Sequence, residues 1–244
     1  MCDQTRSHVV TVIWLFIVAV AGNYALAAGS QDRIAEKPQN ESGSNKELRL
    51  PIYQPPKLGA PQFRVGGGTR SINQLYALAP QHVGLTASPN PRLYWFISTG
   101  DKAGIRFYLS DGLSNRELLK LTWDVSAMEG ITYLNLSDHG INLEEGTTYR
   151  WAISLTPYGG FGSETISSQG FVQYHQKPIL ENTPLSDKPF VAARAGLWYD
   201  AFGTISKLIE NNPAQLDYKY QRAALLDQVG LKSAARFDRP MESN

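Results

Sequence analysis

Catalysis needs titratable or nucleophilic side chains that can converge on one reacting atom, and this 244-residue sequence spends few of them. Beyond position 30 its histidines are His82, His139 and His175, spread over separate segments. The single cysteine is Cys2, so there is no intramolecular disulfide and no thiolate pair for a metal. No His-Glu-x-x-His, Gly-x-Ser-x-Gly or dinucleotide-binding glycine pattern occurs. Asp138-His139 is adjacent in sequence, but successive residues of a strand or turn point apart. Glu144-Glu145 falls in a turn, where solubility explains it. We therefore expect no catalytic residue, no metal and no cofactor. An enzyme would need Asp138, Glu144 or Asp200 to meet in one cleft.

Two stretches carry the chemistry of binding. In the first, Arg64 and Arg70 flank Gly66, Gly67, Gly68 and Thr69. Three ordered glycines in a row cost roughly 0.5–1 kcal/mol each against alanine, so the backbone there needs positive φ or close approach. The run reads as a structural turn, the commoner use of glycine, or as a nest of backbone N–H groups for an anion. It lacks the Gly-Lys-Ser/Thr ending of a phosphate-binding loop. The second stretch is Arg194 with Trp198, Tyr199 and Asp200, on a helix with apolar residues around most of its girth. Arg194 precedes Trp198 by one turn, which suits a cation–π contact or a side chain snorkelling to the helix edge. Together these ten residues form the candidate ligand or interaction set.

The elements that must position them are legible from periodicity. Leu143 to Leu155 reads as a tight turn feeding a strand with Tyr149, Trp151, Ile153 and Leu155 on one face. The Leu143-x-x-Gly146-x-x-Tyr149 lead-in looks like the tyrosine corner of immunoglobulin-like sandwiches. Seven strand-like runs follow one another from Val83: 83–87, 92–98, 105–110, 119–125, 131–137, 149–155 and 167–174. The run 92–98 is apolar on both faces and should be central. Trp95 and Trp151 are expected at the core centre. The expected fold is mainly β: an immunoglobulin/fibronectin-type antiparallel sandwich with a C-terminal helical hairpin. After Tyr174 the period changes to that of a helix from Ser186 or Asp187 to about Glu210, with Pro189 in its first turn. Ala192, Gly196 and Gly203 leave a bare groove where a second element should pack. Asn212-Pro213-Ala214-Gln215 restarts the helix, which Gly230 ends. The pair's texture is similar to a tetratricopeptide unit, but one hairpin makes no solenoid and must pack elsewhere.

The N-terminus bounds location. Val9 to Ala21 is apolar and Ala25-Leu26-Ala27 offers small residues for cleavage, a secretory signal too short to span a bilayer. The expected organisation is a signal peptide (1–27), a disordered linker (28–50), a Gly/Pro-rich brace (51–77), the sandwich (78–176) and the hairpin (177–236). The mature chain would be secreted or periplasmic, with no membrane span. A formal net charge of +1 gives no electrostatic case for nucleic acid. The expected partner is an envelope protein or a glycan.

Several motifs carry a resemblance. Tyr53-x-Pro55-Pro56-x-x-Gly59-Ala60-Pro61-x-x-Arg64-x-Gly66-Gly67-Gly68-Thr69-Arg70 resembles the opening of the bacterial, mostly cyanobacterial, "domain of unknown function 928" family. Gly84-Leu85-Thr86, Tyr149-x-Trp151, Gly170-Phe171-Val172-Gln173, Gly196-Leu197-Trp198-Tyr199-Asp200-Ala201, Leu225-Leu226 and Gly230-Leu231 extend the match to the end of the ordered chain. Many members carry cysteines after the Gly-Thr-Arg and the Tyr-x-Trp motifs; this chain has none there. The resemblance implies a domain extent and an envelope or secreted location, and no activity.

Overall fold

A computed structural model describes residues 48–56, 74–98, 102–125, 129–158 and 165–239. Eight strands form two sheets: β1 (Leu75–Ala77), β2 (Gly84–Thr86), β3 (Arg92–Ile97), β4 (Ala103–Asp111), β5 (Glu117–Val125), β6 (Gly130–Asn135), β7 (Thr148–Pro157) and β8 (Ile166–Tyr174). One sheet has the order β1-β3-β6, the other β2-β8-β7-β4-β5. All pairs are antiparallel except β2 with β8. The chain thus changes sheet between β2 and β3, between β3 and β4, between β5 and β6, and again between β6 and β7. Its first strand also splits: β1 and β2 flank Pro80, whose missing N–H suits a segment leaving one sheet for the other.

Period-2 alternation puts Ile105, Phe107 and Leu109 of β4 and Tyr149, Trp151, Ile153 and Leu155 of β7 on one buried face. Trp95 meets them from the other sheet, its ring 6.3 Å from Phe107 and 6.2 Å from Trp123. Trp95 and Trp151 are both fully buried, as expected. The corner before β7 also forms as expected: the Glu144 N–H donates to the Tyr149 hydroxyl at 3.0 Å. The strand β1 escapes the alternation because it spans three residues, too few to establish a period.

Four C-terminal helices make a third layer: α1 (Lys188–Arg194), α2 (Trp198–Asn211), α3 (Leu216–Gln228) and α4 (Lys232–Asp238). The expected continuous helix to Glu210 is broken, because Gly196 adopts φ +75° and ends α1. A Cβ there would lie 3.1 Å from the Gln54 carbonyl oxygen, so the chain's own N-terminal segment packs at Gly196, whereas Gly203 faces the Tyr94 ring of β3. The Asn212 cap does not form either. The Gln215 position precedes α3, and Leu216 is left 46% exposed. A short fourth helix follows Gly230 where the hairpin was expected to close.

The helix layer covers the outer face of the three-stranded sheet. Tyr94 and Phe96 point away from the inter-sheet core, and Phe202 of α2 and Phe237 of α4 lie over them at 5.1 and 5.2 Å. This is why β3 is apolar on both faces. Arg222 holds the layer together, with two hydrogen bonds to Asp238 of α4 at 2.7 and 2.6 Å and one to Ser206 of α2 at 3.0 Å. Residues 48–56 strap it down: Gln54 N–H donates to Ala193 O, Gln228 brackets Pro51 and Tyr53, and the Tyr53 ring sits edge-on to Trp198 at 5.2 Å. Among the described residues no helix is long and apolar enough to cross a membrane.

Candidate functional site

Trp198, Tyr199 and Asp200 open α2, where the helix meets the sheets, and each is engaged. Trp198 is fully buried and donates its indole N–H to Leu78 O at 2.9 Å. The Tyr199 hydroxyl accepts from Trp151 Nε1 and donates to Phe171 O, both at 2.9 Å. Desolvation holds the Tyr199 phenol well above its ordinary pKa, so it stays protonated. The expectation that Trp198 and Tyr199 offer an interaction surface is therefore corrected. Aromatic side chains on the buried face of an amphipathic helix are a seam to another layer, and the polar atom of each is already used.

The glycines of two sequence motifs make room for this seam. A Cβ on Gly84 would fall 2.7 Å from the Tyr199 ring, and one on Gly170 would fall 2.6 Å from Ala79 Cβ and 3.1 Å from Trp151 Nε1. Gly84-Leu85-Thr86, Tyr149-x-Trp151, Gly170-Phe171-Val172 and Trp198-Tyr199-Asp200 thus belong to one packing arrangement.

Asp200 turns to the other side of the seam. Its Oδ2 accepts the Ala87 N–H at 2.8 Å, fixing α2 to the end of β2. Burial raises its pKa to about 6; the Ala87 N–H and the Thr86 hydroxyl favour the carboxylate but do not outweigh desolvation. The group lines a cleft of about 260 Å³ between α2 and the loop end of the sheets. Asp200, Gly203, Thr204 and Lys207 supply the helical wall, at the three- and four-residue spacing of one helix face. Ser88 and Asn90 come from the β2–β3 connection, Arg92 opens β3, Asn135 ends β6 and Ser137 follows it. Arg92 is held by Glu210 through two 3.0 Å contacts and lies 4.2 Å from the Tyr133 ring. Lys207 is exposed, and its charge acts on Asp200 to favour the ionised form. The arrangement can accept hydrogen bonds at one carboxylate and exchange them with amides and hydroxyls around it.

A second hollow, about 480 Å³, lies beside the strap between Tyr53, Pro80, His82 and Gln228. Its two most polar rings are already tied, Tyr53 hydroxyl to His82 Nε2 at 2.8 Å, and burial lowers the His82 pKa. We take the Asp200 cleft as the candidate site.

Of the sequence-derived candidates, Tyr199 and Asp200 reach this cleft, and Asp200 alone brings a charge to it. Arg194 is exposed at the end of α1, away from any ring of Trp198 that would make a cation–π pair among the described contacts. Arg64, Gly66, Gly67, Gly68, Thr69 and Arg70 lie outside the described residues, as do the expected signal peptide and most of the linker. Asp138 accepts from Asn135 and Ser137 in its own turn. Among the described residues no group of three or more His, Cys, Asp and Glu side chains could hold a metal ion. Sequence reasoning missed Ser88, Asn90, Arg92, Asn135, Thr204 and Lys207. A signal existed only for the helical pair, since Thr204 and Lys207 share a face with Asp200.

No curated protein matches this chain. Among solved structures, a family 76 glycoside hydrolase from a bovine Bacteroides thetaiotaomicron strain is similar at 14% identity, over 51% of this chain and 23% of that one, with a TM-score of 0.25. A multi-domain immunophilin from Arabidopsis thaliana is similar at 8% identity, over 75% of this chain and 97% of that one, with a TM-score of 0.16. Likenesses this slight carry no argument about fold or function. The model of a domain of unknown function, DUF928, matches residues 65–238, well over half of the sequence and nearly all of the described structure, and the chain belongs to that family.

Proposed function

We propose that this chain is a non-catalytic binding module of the cell envelope, secreted or periplasmic, whose Asp200 cleft takes a small hydroxyl- or amine-bearing ligand of about one sugar ring. The apolar stretch ending at Ala27 supports export. One observation carries the binding site. A carboxylate pre-positioned by the Ala87 N–H stands in a concave, polar cleft at the junction of two layers, with amides, hydroxyls and a lysine around it. A fixed acceptor loses little freedom when a donor arrives, which favours binding. A perturbed carboxylate in a cleft is a functional-site signal on general grounds. Binding rather than turnover is favoured because Asp138, the acid nearest in role, is spent on its own turn.

The same reading takes the two sheets as an immunoglobulin-type sandwich. Three features support it: a three-stranded antiparallel sheet facing one ordered β8-β7-β4-β5, strands that alternate between the sheets, and the tyrosine corner before β7. The fold itself carries no function.

The test is a thermal-shift and titration series with neutral and amino monosaccharides, on the wild type and on Asp200→Asn. A ligand at one hundred times its Kd should stabilise the wild type by about 2.7 kcal/mol. The variant, which keeps an acceptor for Ala87 but loses the charge, should bind at least tenfold more weakly and more so for the amino sugar. Equal binding by both proteins would remove the cleft from the account.

A further inference from the structure

We propose that the open outer face of the five-stranded sheet is a docking surface for an acidic polysaccharide. The strand registers build this face row by row. Arg106 of β4 stands between Thr122 of β5 and Ser154 of β7. In the next row Tyr108 stands between Lys120 and Ala152, and in the row after that Arg150 stands beside Ser110. Arg106 and Lys120 are exposed, whereas Arg150 is half-buried with its guanidinium 6.0 Å from the Tyr108 ring. The four ion pairs among the described residues involve none of these three cations. Two carboxylates lie in these rows: Asp124 takes the Tyr158 hydroxyl, and exposed Glu117 is the register partner of Ser110 across a bulge. The chain as a whole is near neutral, at +1, so this is a local concentration of charge and not a property of the bulk.

The geometry selects the partner. Strands lie about 4.8 Å apart and same-face residues about 6.8 Å apart along a strand, so the three cations are separated by roughly 8–14 Å at their Cα atoms. That spacing spreads the three charges over neighbouring strands and successive rows, which suits a chain that presents acids at intervals. Beside the cations runs a ladder of hydroxyls, Ser154 with Ser167 and Thr156 with Thr165, each pair 2.9 Å apart. These groups match a polyhydroxylated partner.

The full chain is tested by affinity electrophoresis and titration calorimetry against polygalacturonate. Dextran serves as the neutral polymer, and vesicles of phosphatidylglycerol and phosphatidylcholine as the lipid alternative. Wild type should be retarded by polygalacturonate and not by dextran, with binding that weakens as salt rises. The double variant Arg106→Gln, Lys120→Gln should lose at least tenfold in affinity while its thermal melt stays in place; Arg106→Glu alone serves if the double variant fails to fold. Asp200→Asn should bind the polymer as wild type does, since the cleft lies elsewhere. No retardation by polygalacturonate, equal retardation by dextran, unchanged binding by the double variant, or binding to the vesicles in place of the polymer would each overturn the proposal.

Discussion

The outer faces of the two sheets follow the same alternation and end in opposite environments. On the three-stranded sheet, Tyr94 and Phe96 point away from the inter-sheet core and disappear beneath Phe202 and Phe237. On the five-stranded sheet, Arg106 and Tyr108 point away from the same core and meet solvent. Sequence alone decides which face is covered: a strand apolar on both sides needs a third layer, and one polar on its outer side does not. The covered face carries the fold's stability and fixes the Asp200 cleft at its rim. The open face is free for recognition. Substitutions on the two sides should therefore differ in kind.

The largest effect is expected at the seam of the covered face. Trp198→Ala removes a fully buried ring and the partner of Leu78 O, and should cost about 3–5 kcal/mol in a urea titration. A loss below 1 kcal/mol would mean that the helices are an appendage. Next is the pH dependence of Asp200. Its proton is held more tightly in the folded chain than in the unfolded one, where the pKa is near 4. The stability this confers is fully present below pH about 4 and is lost as pH rises through about 6. The total is about 2–3 kcal/mol. Unfolding curves of wild type and Asp200→Asn from pH 4 to 8 should diverge over that window and run parallel outside it. Ligand binding to the carboxylate should strengthen across the same rise.

Tyr199→Phe leaves Trp151 Nε1 and Phe171 O without the hydroxyl between them, and should cost about 2 kcal/mol in the same assay. Gly196→Ala places a side chain at φ +75° and 3.1 Å from Gln54 O, for about 1–2 kcal/mol. It should also speed proteolysis near Gln54, because the strap is what the new methyl displaces. The smallest effect belongs to the open face: Arg106→Gln should move stability by no more than about 0.5 kcal/mol. A large loss there would erase the contrast between the two faces.

The contrast was partly legible before any coordinates. The strand-like runs identified seven of the eight strands, all but β1, and named Trp95 and Trp151 as core. The double-sided apolar pattern of 92–98 announced a central strand, though not that helices would cover it. The break at Gly196 was hidden because a glycine inside an apolar stripe reads equally as a packing groove or a helix end. Only the positive φ, with Gln54 and Pro56 packed where a side chain would stand, separates the two. Trp198 and Tyr199 misled for a related reason. Aromatics on a helix look available until the layer they dock on is known, and that layer comes from strands over a hundred residues earlier in the chain for Trp198. The cleft was the least legible feature. Its walls come from three separated segments, and no local pattern brings Asn90 and Asn135 to Asp200.

Native-state amide hydrogen exchange on the full chain in increasing urea tests the central claim, that the helix layer is part of the folded unit and holds the cleft in place. The account predicts that the amides of α2 and β3 open together, at the same free energy and the same urea dependence as global unfolding. Opening of α2 and α3 several kcal/mol below β3, with little urea dependence, would contradict it, because a detachable layer could not keep Asp200 against Ala87.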